Sequence, residues 1–170
     1  MRTLSGLVFG LLLASAAFAI DDRAVEVPAG GQVTVEGTRA KQSVRAMVAT
    51  TVISGATGSL DASALVEREC AARDSPCSLV TRLEIAVNGR QLVVPRSSFR
   101  GLTNVRTAKL IPKRESYHLV LRGGDGAEGF VATIVFGRDR VIKRMLASSL
   151  APEDVLEETT YRIQKESFDR

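Results

Sequence analysis

The stretch that decides the fold is Leu79-Val80-Thr81-Arg82-Leu83-Glu84-Ile85-Ala86-Val87-Asn88-Gly89-Arg90-Gln91-Leu92-Val93-Val94. Leu79, Thr81, Leu83, Ile85 and Val87 alternate with Arg82 and Glu84, the period of a half-buried strand. Asn88-Gly89 follows, and both residues tolerate positive φ, as a two-residue hairpin turn demands. Pairing outward from that turn sets Ile85 opposite Leu92 and Leu83 opposite Val94. Both pairs fall on the apolar face, so turn chemistry and hydrophobic pattern agree on register. Pro95 ends the second strand.

The same period recurs on either side. Val25–Val27 and Gln32–Glu36 read as strands about a Pro28–Gly31 turn. Residues 40–53 fit two patterns. Ala40, Val44, Val48 and Val52 repeat every four residues, as in a helix, but the β-branched run Thr50–Ile53 favours a strand from Val44 to Ser54. Asp61–Arg73 reads as a helix with Asp61 as N-cap, closed by Asp74-Ser75-Pro76. Ser97–Leu102 suggests one helical turn. Val105–Ile111, Tyr117–Leu121, Phe130–Phe136 and Val141–Leu146 read as strands. Phe130–Phe136 is apolar on both sides and is expected to be central and covered on both faces. Pro152-Glu153-Asp154 suggests a helical turn, and Thr159–Ile163 a last strand. The expected fold is therefore α+β or mainly β, an antiparallel sheet or compact sandwich of about seven to nine strands with one short helix.

The first nineteen residues stand apart. Arg2 is followed by an apolar run from Leu7 to Phe18, and Ala17-Phe18-Ala19 gives the small-x-small pattern read by signal peptidase. The run is too short to span a bilayer of roughly 30 Å. Residues 1–19 are read as a Sec-type signal peptide cleaved after Ala19, and residues 20–170 as one globular domain in the periplasm or secreted medium. Cleavage removes Arg2 and lowers the net charge of +4 by one.

Export bears on Cys70 and Cys77, the two cysteines of the chain. An even count in an oxidising compartment points to a disulfide between them. The loop-entropy model gives a bridge of this span roughly 2.5 kcal/mol. The pair lacks the C-x-x-C spacing of a redox site.

Catalytic motifs are scarce. His118, the one histidine, sits in a strand pattern, and no G-x-S-x-G elbow accompanies it. One His and two Cys argue against a zinc centre. Gly123–Gly129 lacks the Lys and Ser/Thr of a phosphate loop and the spacing of an EF-hand, and reads as a hairpin turn. No cofactor or metal is expected. Glu153, Asp154, Glu157 and Glu158 form a run of the kind that faces water.

Charge distribution is more informative. Arg90, Arg96, Arg100, Arg106, Lys109, Lys113 and Arg114 fall in residues 90–114, which contain no Asp or Glu, and Arg138, Arg140, Lys143 and Arg144 form a second group. Such arginines face water, pair with the Glu153–Glu158 run, or grip anionic groups in bidentate fashion. The candidate binding residues are Arg96, Arg100, Arg106 and Lys109. Arg106 and Lys109 are three apart, so only a bulge would put both on one face. An exported chain with 5% aromatic residues and no Trp is a poor nucleic-acid binder. The leading reading is a non-enzymatic interaction protein whose basic surface engages an acidic protein or an anionic envelope polymer. The alternatives are a small hydrolase with a carboxylate or Ser site, and a structural envelope component.

The disulfide is open to a direct check. Intact-mass measurement of the protein recovered from the periplasm should show a chain starting at Ile20, gaining two hydrogens on reduction. Two thiols that titrate without reductant would refute the bridge.

Overall fold

The computed structural model describes residues 23–39, 41–53, 77–124 and 126–162. The strands are β1 (Val25–Glu26), β2 (Gly31–Arg39), β3 (Gln42–Ile53), β4 (Cys77–Val87), β5 (Arg90–Gln91), β6 (Val105–Pro112), β7 (Tyr117–Gly123), β8 (Phe130–Phe136), β9 (Val141–Ser148) and β10 (Val155–Thr160). They form two antiparallel sheets, of order β1-β6-β7-β8-β9-β10 and β2-β3-β4-β5. The protein is mainly β. The described residues contain only two 3-10 turns, at Arg96–Ser98 and Gly126–Glu128. The helix expected at Asp61–Arg73 lies outside the described residues, as does Cys70.

One apolar cluster joins the sheets. Val44, Ala46 and Val48 of β3 and Leu83, Ile85 and Val87 of β4 meet Leu119 and Leu121 of β7 and Ala132, Ile134 and Phe136 of β8. Alternation explains the arrangement, since each inward residue is followed by one directed outward. Of the ambiguous residues 40–53, Gln42–Ile53 form a strand, buried at alternate positions from Val44 to Val48.

The Asn88-Gly89 hairpin forms with φ of 51° and 78° at its two turn residues. The Leu92 N–H donates to the Ile85 carbonyl at 2.8 Å, as the expected register requires. The second strand is shorter than expected. It ends at Gln91, so the expected pair of Leu83 with Val94 does not form. Val93 leaves the ladder to bridge Arg140 at the start of β9. Leu92, Phe99 and Leu102 then anchor the connection to the core, which draws the chain off the sheet edge.

Bulges account for further differences. Ala49 pairs with Arg82 and Thr50 with Val80, so Thr81 is the extra residue of β4. The bulge reverses the alternation: Thr81 is exposed and Val80 enters the core in its place. The last strand starts at Val155, not Thr159, and Leu156 is bulged out of it. Residues Pro152–Asp154 form a turn without helix. Strand β8 is interior to its sheet; of its outward residues Val131 is buried, while Thr133 and Val135 are half-buried, so the expected cover on both faces is partial. The glycine-rich segment is a turn, as read from the sequence. Gly124 has φ of 75°, and a Cβ there would collide with the Glu128 carbonyl.

The hairpin connections sort by end. Tyr117 pairs with Phe136, the Tyr117 hydroxyl meets the Gln42 amide, and Asn88 Oδ1 accepts from the Ser43 N–H. The β2–β3, β4–β5, β6–β7 and β8–β9 turns therefore share one end of the sandwich. The opposite end is tied by buried hydroxyls: Thr50 donates to the Pro28 carbonyl and Ser78 to the Ala29 carbonyl, each at 2.6 Å.

Candidate functional site

The four turns that share an end hold Arg39, Lys41, Arg90, Lys113, Arg114, Arg138 and Arg140, against only Glu115 and Asp139. The concentration follows from topology. In an antiparallel meander every second turn returns to the same end, so basic residues distant in sequence meet there. The described acidic residues outside strands include Glu128, Glu153 and Asp154, which belong to the opposite end.

Within the basic end lies a cleft of about 120 Å³, lined by Arg39, Gln42, Lys113, Arg114, Glu115, Ser116, Tyr117 and Arg138. Three turns build it. Arg39 pairs with Gln42 and closes β2–β3. The Lys113 N–H donates to the Ser116 carbonyl at 2.8 Å and closes β6–β7. The Gly137 N–H donates to the Arg140 carbonyl at 2.9 Å and closes β8–β9. Four cations face one carboxylate, Glu115, and among the described residues none of the four makes an ion pair.

The floor of the cleft is rigid. Tyr117 is buried, and its ring stacks on Phe136 with centroids 5.6 Å apart. With the Gln42 amide oriented so that every donor meets an acceptor, Gln42 Nε2 donates to the Tyr117 hydroxyl at 2.9 Å. Gln42 Oε1 then accepts from Arg138 Nε at 2.8 Å and Nη2 at 3.2 Å. One amide thus fixes both a hydroxyl and a guanidinium.

The residues singled out from the sequence are divided. Arg96 and Arg100 are exposed on the connection that leaves β5, and among the described residues neither makes an ion pair. Arg106 and Lys109 belong to β6, three strands from β9 in the sheet, about 14 Å away at roughly 4.8 Å per strand. The bulge needed to put those two on one face is present: Val105 pairs with Gly123 and Thr107 with Arg122, leaving Arg106 extra. Val105, Ala108 and Leu110 are buried, while Arg106 and Lys109 are turned away from the core and each has an interaction partner. Pairing with the C-terminal acidic run occurs, but in the second basic group. Arg144 Nη1 donates to Glu157 at 2.5 Å and Lys143 Nζ lies 2.8 Å from Glu158. Arg144 is paired with Ile134 on the core side of the sheet, its side chain 9% exposed, and its Nε has no hydrogen-bond partner.

Cys77 is buried at the first position of β4 and is not a free thiol. Its expected partner Cys70 lies outside the described residues, so the bridge stands as a proposal. His118 lies on the outward face of β7, opposite Ile111 and Val135. Among the described residues, no three His, Cys, Asp or Glu side chains group as metal ligands. No described helix is long and apolar enough to cross a membrane.

Lys113, Arg114 and Arg138 belong to the basic groups of the sequence but not to its candidate binding residues, and Arg39, Gln42 and Tyr117 stand outside both. The usable signal was strand parity, because alternate turns of a meander share an end. No family model, curated protein or solved structure matches the chain.

Burial, and secondarily the Lys113 ammonium, hold the His118 imidazole below its ordinary 6.5. In the unfolded chain it takes up a proton near that value, and in the fold only at lower pH. The group costs nothing above this window. It lowers stability as pH falls through 6.5, until the folded-state imidazole also protonates. Urea unfolding of wild type and His118→Gln should show the wild type losing ground between pH 7.5 and 5.5. A difference that does not change with pH would contradict this.

Proposed function

We propose that this is an exported, non-enzymatic interaction protein of the periplasm or secreted medium. Its basic turn end engages an anionic partner, either an acidic protein or an anionic envelope polymer. The observation that carries the reading is the convergence of Arg39, Lys113, Arg114 and Arg138 around one cleft without ion-pair partners among the described residues. Unpaired cations on short turns repel one another, and low-dielectric walls focus their field outward. An anion bound there relieves that repulsion and accepts charge-assisted hydrogen bonds. The signal-peptide pattern at residues 1–19 and the even cysteine count, Cys70 and Cys77, support a location outside the cytoplasm.

Arg96 and Arg100 offer a separate, smaller pair on the connection that leaves β5, and Arg106 with Lys109 a third on β6. The surfaces are distinguishable by charge reversal. Retention on immobilised heparin should fall steeply with salt, since exposed contacts are screened over roughly 8 Å at physiological ionic strength. Lys113→Glu with Arg114→Glu should lower the eluting salt concentration markedly and leave the melting temperature nearly unchanged. Arg96→Glu with Arg100→Glu should have the smaller effect. If wild type is not retained, the reading fails. If the Arg96 and Arg100 changes dominate, the binding surface is the connection after β5 and not the turn end.

A further inference from the structure

The cleft is built for more than diffuse attraction. At about 120 Å³ it is far below the roughly 300–1,000 Å³ of pockets that enclose whole organic ligands. It admits one small group. Three turns line it: Arg39 from β2–β3, Lys113, Arg114 and Ser116 from β6–β7 together with the single carboxylate Glu115, and Arg138 from β8–β9, with Tyr117 at the base. A planar carboxylate is satisfied by one bidentate arginine. Four cations and the Tyr117 hydroxyl along one lining match a tetrahedral oxyanion, with its larger charge and additional oxygens.

We propose that this cleft is a binding site for a single phosphoryl group, gripped by Arg138 and the Tyr117 hydroxyl, with Arg39, Lys113 and Arg114 supplying charge. The inference rests on reading the turn end as an anion-binding surface, and it specifies what that surface recognises. The geometry at Gln42 is its main support. Gln42 Oε1 occupies the Nε–Nη2 edge of Arg138. A guanidinium has five N–H groups, so the edge made by Nη1 and the second Nη2 hydrogen stays available for two parallel bonds to an oxyanion. Gln42 Nε2 donates to the Tyr117 oxygen, which leaves the Tyr117 proton to be donated elsewhere. Because the Tyr117 ring is stacked on Phe136 and buried, that hydroxyl is held in place before any ligand arrives. Little ordering remains for binding to impose.

Calorimetric titration of the mature protein at low ionic strength tests the inference with inorganic phosphate, phenyl phosphate and acetate. Phosphate and phenyl phosphate should bind with the same stoichiometry and acetate at least about tenfold more weakly. Binding of phenyl phosphate alone would mark the source as a phosphomonoester on a larger molecule, and still support a phosphoryl site. Arg138→Gln should weaken binding about tenfold or more, and Tyr117→Phe and Gln42→Leu severalfold. Arg96→Gln should leave it unchanged. Melting temperatures identify any variant that fails to fold, and Tyr117→Phe keeps the ring that the core requires. Equal binding of acetate and phosphate would overturn the phosphoryl assignment, as would Tyr117→Phe and Arg138→Gln variants that bind like wild type. Heparin retention that persists in protein unable to bind phosphate would remove this inference and leave the anionic-partner reading standing.

Discussion

The structure depends on one apolar layer shared by two sheets. Ile85 and Val48 on one side, and Leu119, Ile134 and Phe136 on the other, are fully buried in the same cluster. Because side chains alternate along a strand, committing these positions to the interior commits their neighbours to the outside. The constraint also governs the ends. Strands that run antiparallel between the same two layers must turn at alternate ends, and the β2–β3, β4–β5, β6–β7 and β8–β9 turns meet at one of them. Charge kept out of the core accumulates where those turns converge. The basic cleft is therefore a consequence of the packing, and Tyr117 joins the two: its ring belongs to the core and its hydroxyl to the cleft.

Much of the fold was legible wherever local chemistry and alternation agreed. Asn88-Gly89 specified its turn and the pairing of Ile85 with Leu92, and both are present. The strands from Tyr117, Phe130 and Val141 fall where their patterns place them. Legibility stopped at bulges. One extra residue at Thr81 moved Val80 inward, and one at Arg106 brought Arg106 to the same side as Lys109. No residue type at either position announces a bulge, because the register shift is set by the partner strand. The start of β10 was missed for a related reason. Glu157 and Glu158 look solvated in isolation, yet they stand beside Arg144 and Lys143 once β9 and β10 pair.

The site was less legible than the fold. A run of residues free of acid drew attention to positions 90–114, but adjacency in sequence is not adjacency in a meander. Arg96 and Arg106 are ten residues apart and belong to different parts of the sandwich. Arg39 and Arg138 are 99 residues apart and line one cleft. Gln42 carries no chemical signal in the sequence. Its importance is geometric, since it closes a turn against Arg39 and thereby reaches both Tyr117 and Arg138.

The central claim is that anions are recognised where the turns converge. Amide chemical-shift mapping of isotope-labelled mature protein with a heparin oligosaccharide tests it most directly, because it locates contact without altering a residue. The account predicts that the largest shifts fall at residues 41–43, 113–117 and 137–141, with small changes across 96–109. Shifts concentrated at 96–109, with the three turns unmoved, would contradict it.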